Sequence, residues 1–408
     1  MKSASTALFA LAALASGVRA HMGPFVKGVY ALNGTVKGVD NLNSADIVNP
    51  LFNLKFEDYW LHGLGDVSKF PPLADEFLEV PAGGQFTIEI AANRAVTTLA
   101  YDGNNTTPWG DGQEHPDDYS MTNLGGIKTT SACIPSPNMH TQNETKAAGT
   151  AMAISYESDI SKVTPANTVV FSIAPNTPYR RIANYSVPAL LPACPAGGCT
   201  CVWAWIPENC GEANIFMVPI KCKVTEVSPK ALQLSLPVQN ATWCENDQSK
   251  CVKGSKGIII NHQAEGNTVN STNVYADDGE PAAPGYNYKM GYYPGAQNDI
   301  FSNTTAPAAS SSAAPSSAVA SSSAATKSAA ATSLKAATSS KAATSSKAPK
   351  SVATSSPMTS SKAAELTATS SKAAKACSAS TTSSEKSSAA ANSKRMHRKM
   401  MRSFGMSV

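Results

Sequence analysis

Apolar and polar positions alternate in short runs through the middle of this chain. In GGQFTIEIAA (residues 83–92), Phe86, Ile88 and Ile90 share one parity and polar residues fall between them, the period of a half-buried strand. Five further runs predict strands: GTAMAISYES (149–158), NTVVFSIAP (167–175), YRRIANYSVP (179–188), CTCVWAWIP (199–207) and ANIFMVPIKCKVTEV (213–227). They are rich in β-branched and aromatic residues and are bounded by Gly, Pro or Asn. No long pattern of period 3.6 competes with them. Short strands separated by turn signals predict an all-β fold, an antiparallel β-sandwich with long loops. The residues before Pro81 and after Val227 show no clean period and read as long loops and coverings.

The two ends read differently. Lys2 followed by the apolar TALFALAALA (6–15), with small Val18 and Ala20 ahead of His21, has the layout of a secretory leader over residues 1–20. No second apolar stretch of about 20 residues follows, so the expected product is secreted and crosses no membrane. Composition breaks again near Phe301. Residues 302–408 are dominated by Ser, Ala, Thr and Lys and end in KRMHRKMMRSFGMSV. Such a segment buries too little apolar surface to offset its ordering entropy, which predicts a disordered, O-glycosylated tail. The folded domain is therefore expected over residues 21–301.

Charge follows the same division. Residues 301–408 carry a net +12 and residues 21–300 a net −10. An acidic globule with a basic tail lacks the basic face of a nucleic-acid binder. Eight of the nine cysteines lie in the globule: Cys133, Cys194, Cys199, Cys201, Cys210, Cys222, Cys244 and Cys251. In an exported chain they predict up to four disulfides, with the pairing unreadable from sequence. The C-x-C spacing of Cys199 and Cys201 is poor for a zinc knuckle. Eight N-x-S/T sequons, from Asn33 to Asn303, fit a glycoprotein. A monomer is assumed.

Hydrolase chemistry has little support. The chain has neither G-x-S-x-G nor H-E-x-x-H, and the pairs Asp117–Asp118 and Asp75–Glu76 have no fixed separation to make a glycosidase acid and base. The few histidines carry more: His21, His62, His115, His140 and His262 in the globule and His397 in the tail. Cleavage after Ala20 would leave His21 as the first residue, with an α-amine and an imidazole able to chelate one ion. A second imidazole would complete three nitrogens in a T, an arrangement suited to Cu(II).

Five groups of residues then acquire a common meaning. They are His21 with NPLF (49–52), ADEFLEVPAGGQFTIEIA (74–91) with NRAVTTLAYDG (93–103), GTAMAISYESD (149–159), LPACPAGGCTCVWAWIP (191–207) and PGAQNDIF (294–301). In this order the chain resembles the auxiliary-activity family fourteen lytic polysaccharide monooxygenases. The resemblance implies an immunoglobulin-like sandwich holding one mononuclear copper ion. It also implies oxidative attack on plant cell-wall polysaccharide, xylan associated with cellulose being the implied target. The partners would be that polysaccharide, an external electron donor and O2 or H2O2. His21 matches the amino-terminal ligand, and His140, shortly before GTAMAISY, the second. His115 is the rival for that place and His62 a more distant one. Phe216 stands at the axial position where the family usually has tyrosine, and a phenyl ring gives copper no oxygen. Asn214 matches an amide beside the open position. Tyr59, Trp60, Trp109, Tyr286, Tyr288, Tyr292 and Tyr293 are candidate sugar-stacking rings that packing would explain equally. A copper-binding protein without turnover, and a structural glycoprotein of the cell wall, share part of these features.

Overall fold

The computed structural model describes residues 21–207, 214–269 and 282–306. Among them run β1 (Gly23–Phe25), β2 (Leu78–Pro81), β3 (Gln85–Ala91), β4 (Thr150–Ser155), β5 (Val169–Ala174) and β6 (Ile182–Ser186). They are followed by β7 (Cys199–Trp205), β8 (Phe216–Thr225), β9 (Leu232–Leu234), β10 (Gly295–Ala296) and β11 (Phe301–Thr305). The one α-helical turn in the described residues, α1 (Phe56–Tyr59), is four residues long, and the remaining helical pieces are 3-10 turns. The fold is all-β, as the alternation predicts. A three-stranded sheet ordered β1-β3-β6 packs on a six-stranded sheet ordered β10-β5-β4-β7-β8-β2, and β11 pairs separately with β9.

Each of the six predicted runs contains one observed strand, β3 to β8. The antiparallel expectation needs one correction, because β2 lies parallel to β8, from Leu78 opposite Cys222 to Pro81 opposite Thr225. β2 arrives at that edge from the long covering segment and not from a hairpin, so no tight turn imposes antiparallel pairing. The strands missing from the periodicity are two to five residues long, and the longest of them, β11, buries no alternating face.

Strand alternation divides the large sheet into two buried faces. Cys199, Cys201, Trp203 and Trp205 of β7, with Phe216, Val218, Ile220 and Cys222 of β8, face inward onto Phe86, Ile88 and Ile90 of β3. The opposite parity, Val202, Ala204 and Met217, packs outward with Ala151, Ala153 and Val170. Leu51, Tyr59 and Leu61 cover this outer face together with Ile258, Ile259, Ile260, Tyr286 and Tyr292. The loops without a period therefore supply a second apolar layer, and β4, β5 and β7 are buried along their whole length. Strands covered on both faces read as continuous apolar runs.

Disulfides reinforce this frame. Cys201–Cys222 joins β7 to β8, Cys194–Cys199 closes the entry to β7, and Cys244–Cys251 ties the outer covering. Cys133 is disulfide-bonded as well. The leader expected over residues 1–20, the tail after residue 306, Cys210 and Cys377 lie outside the described residues. β11 carries the described fold past the composition break at Phe301 as far as Thr305.

Candidate metal centre

One end of the sandwich gathers four rings from separate parts of the chain. His21 leads directly into β1, whose Gly23 pairs with Ala91 of β3. Met22, between them, is fully buried. Gly110 makes room for it, since a Cβ there would lie 2.1 Å from Met22 Cε and 2.6 Å from the Ile90 carbonyl oxygen. The β1 entry, and with it His21, is thus set against the small sheet.

His140 comes from a loop that crosses the same end. Its φ is +47°, a left-handed conformation that non-glycine residues seldom adopt and that neighbouring structure must hold in place. The loop is pinned on both sides. Ile134 N donates to Thr141 O (3.0 Å), Met121 N donates to Gln142 O (2.9 Å) and Thr141 Oγ1 donates to Asn143 O (2.8 Å). Met139 and Thr141 are buried.

The ring centroids of His21 and His140 lie 5.5 Å apart with 31° between planes, and the residues are 7 % and 3 % exposed. Phe216, the first residue of β8, sits 5.6 Å from the His21 ring. Behind them stands Trp205, the last residue of β7 and the register partner of Phe216. Its indole stacks on Phe216 at 4.5 Å and meets His140 edge-on at 5.7 Å. Asn214, two residues before Phe216, is buried, and both Nδ2 and Oδ1 lack a hydrogen-bond partner. Trp205 Nε1 is likewise unpartnered. Sequence reasoning passed over Trp205, whose signal was its place at the end of a core-facing row with Cys201 and Trp203.

The competing histidines are engaged elsewhere. His115 Nε2 is 2.9 Å from Asp111 Oδ2, and its ring stacks on Tyr119 at 4.1 Å and meets Trp109 edge-on at 5.3 Å. Ser136 Oγ donates to the same Asp111 oxygen at 2.9 Å. His62 is buried with Nε2 3.1 Å from the Asp46 carbonyl oxygen, and burial pulls its pKa down to about 4. It is a neutral core imidazole. Of the candidate stacking rings, Tyr59, Trp109, Tyr286 and Tyr292 are buried. Trp60 is half-buried, and its Nε1 donates to Val163 O at 2.9 Å. Tyr288 and Tyr293 are exposed.

These residues fit a single copper ion. Two imidazoles that share a metal at about 2.0 Å from each nitrogen have centroids no more than roughly 6 Å apart, and 5.5 Å satisfies that limit. Among the described residues no group of three His, Cys, Asp or Glu converges on one point. The donors that the described side chains bring together here are the two imidazoles of His21 and His140. Nitrogen donors with no carboxylate or thiolate suit Cu(II) better than a hard cation.

The fold is a two-sheet β-sandwich with the His21 and His140 rings close together at one end. The Lytic polysaccharide monooxygenase AA14 family model matches residues 3–403 of the chain. An AA14 family lytic polysaccharide monooxygenase B of Talaromyces rugulosus is 37 % identical over 297 residues, 69 % of this chain and 93 % of that protein. An AA14 family lytic polysaccharide monooxygenase A of Trametes coccinea (strain BRFM310) is 32 % identical over 323 residues, 76 % of this chain and 68 % of that protein. A relative from Pycnoporus cinnabarinus, an AA14 family lytic polysaccharide monooxygenase B, is 32 % identical over 266 residues, 62 % of this chain and 63 % of that protein. The chain belongs to the AA14 lytic polysaccharide monooxygenase family and is a copper-dependent oxidoreductase.

Proposed function

We propose that this protein is a secreted monooxygenase that oxidatively cleaves plant cell-wall polysaccharide, with xylan lying on cellulose as the target class. His21, through its ring and its α-amine once the leader is removed, and His140, through its ring, hold the copper. When bound, copper supplies one-electron chemistry that couples an external reductant and O2 or H2O2 to hydroxylation of a sugar carbon. The observation that carries this reading is the approach of two imidazoles, 119 positions apart in the chain, to 5.5 Å at the sandwich end.

The chain's own residues do the rest. Trp205 packs against His140 and fixes its ring plane, as supporting groups around metal ligands generally do. Phe216, 5.6 Å from the His21 ring, would set an apolar ring beside the ion, keeping water off that side and offering no ligand. Asn214, with both amide atoms free of protein partners, presents a donor and an acceptor for orienting the oxygen co-substrate. Disulfides in the globule fit an oxidising compartment. No helix among the described residues is long and apolar enough to cross a membrane.

Mass spectrometry of the secreted protein and copper titration test the assignment together. The expected result is an amino terminus at His21 and tight one-to-one Cu(II) binding. One extra residue before His21, or His140→Ala, should abolish that tight binding. Cleavage elsewhere, or a titration indifferent to both changes, rejects the site. Release of oxidised oligosaccharides from xylan-coated cellulose, with reductant present, then tests the substrate.

A further inference from the structure

An exposed phenyl ring is carried on a loop that pairs with the residues leading into β8. Leu51 and Ile215 exchange both main-chain hydrogen bonds, 2.9 and 3.0 Å, as an antiparallel bridge. The next residues outward, Phe52 and Asn214, are therefore opposite each other. Leu51 and Ile215 point into the outer core, so strand alternation puts Phe52 on the side of Asn214 and Phe216. Asn214 is buried there, whereas Phe52 is 55 % exposed.

The loop that carries this ring is tied down through its backbone. Gln263 Nε2 donates to Leu51 O at 2.9 Å, and Leu54 N donates to Gln263 Oε1 at 3.2 Å. Asn53 N donates to His262 O at 2.8 Å, Ala264 N to Leu54 O at 3.0 Å, and Phe56 N to Glu265 Oε1 at 2.8 Å. The His262 ring lies 6.4 Å from Phe52, tilted by 41°. A lone exposed apolar side chain on a surface is ordinary. Here a large ring stands in water on a loop held through its backbone, next to a second flat ring and opposite Asn214 in register. That arrangement forgoes burial while ordering the ring's backbone in advance, which lowers the cost of binding a partner.

The geometry points to Phe52, flanked by His262, as a sugar-stacking platform for the pyranose next to the one oxidised. A pyranose ring with equatorial hydroxyls carries axial C–H groups on its faces, apolar enough to lie on an aromatic ring, while its hydroxyls stay at the edge in water. A β-linked polysaccharide crossing the sandwich end over His21 and His140 would place a neighbouring unit on Phe52. This inference rests on the metal-site reading above.

Binding without turnover tests it. Secreted full-length protein, copper-loaded and with no reductant, is titrated against insoluble xylan-coated cellulose by depletion, and Cu(II) affinity is measured separately. Phe52→Ala should weaken polysaccharide binding about tenfold, while Phe52→Trp should stay within about twofold of wild type. Ile182→Ala, at an exposed apolar position on β6 (44 % exposed), should leave binding unchanged, and all three variants should keep wild-type copper affinity. Wild-type polysaccharide binding by Phe52→Ala, or equal losses in Phe52→Ala and Ile182→Ala, overturns the platform while leaving the metal site standing. Failure of the metal site shows separately, as loss of one-to-one copper binding in the wild type.

Discussion

His62 should make the fold acid-sensitive by an amount the structure sets. The imidazole is buried, with Nε2–H donating to the Asp46 carbonyl, and its pKa is lowered from 6.5 to about 4 by burial. Between those values the unfolded chain takes up a proton that the folded chain refuses. Stability therefore falls as pH is lowered through this window and levels off below about pH 4. For shifts of this size the linkage gives a loss of about 3 kcal/mol at pH 4 relative to pH 7, roughly two-thirds of it by pH 5. His62→Gln keeps an N–H for Asp46 and does not titrate. Urea unfolding of both proteins at pH 7, 6, 5 and 4 isolates the effect, because other titrating groups cancel in the difference. The variant's stability relative to wild type should rise by about 3 kcal/mol from pH 7 to pH 4. Parallel curves across that range would refute the reasoning, and so would loss of one-to-one copper binding in the variant, since His62 would then be serving the metal.

Other consequences follow from the packing. Trp205→Ala removes a fully buried indole and should cost about 3–5 kcal/mol in unfolding free energy. Trp205→Phe should fold but alter the Cu(II) EPR spectrum, because His140 loses its edge contact; an unchanged spectrum would deny Trp205 a positioning role. Replacing both Cys201 and Cys222 by Ala opens a cross-link spanning 21 residues, with an expected loss of about 3 kcal/mol in chemical denaturation. Glu89, nearly buried, accepts from Arg181 Nη1 and from Thr98 N and Oγ1. Glu89→Ala strands the guanidinium and should cost about 3–5 kcal/mol, and Arg181→Met in the same background should recover part of it.

The six strands β3 to β8 were legible because each is apolar enough to require burial, as alternation in β3 and β6 and as continuous apolar runs in β4, β5 and β7. β1 and β2 were not: three and four residues carry no period, and their places depend on partners far along the chain, Ala91 for Gly23 and Cys222 for Leu78. His21 stood out as a candidate from its position after a leader-like segment, since chelation by an amino-terminal histidine would be a local property. His140 could be named only through resemblance, with His115 and His62 open beside it. Local sequence does not say that a neighbouring carboxylate holds His115, or that the outer core closes over His62.

By itself the sequence determined what depends on local chemistry and on composition. It carried the all-β class, an acidic stretch of chain followed by a basic one, and cysteines suited to an oxidising compartment. The tertiary structure alone decided which distant groups meet. It brought the His140 loop over the entry to β1, laid Trp205 behind Phe216 through the β7–β8 register, and set Phe52 opposite Asn214. Each meeting is fixed by strand pairing and close packing between segments tens to hundreds of residues apart, which no local pattern encodes.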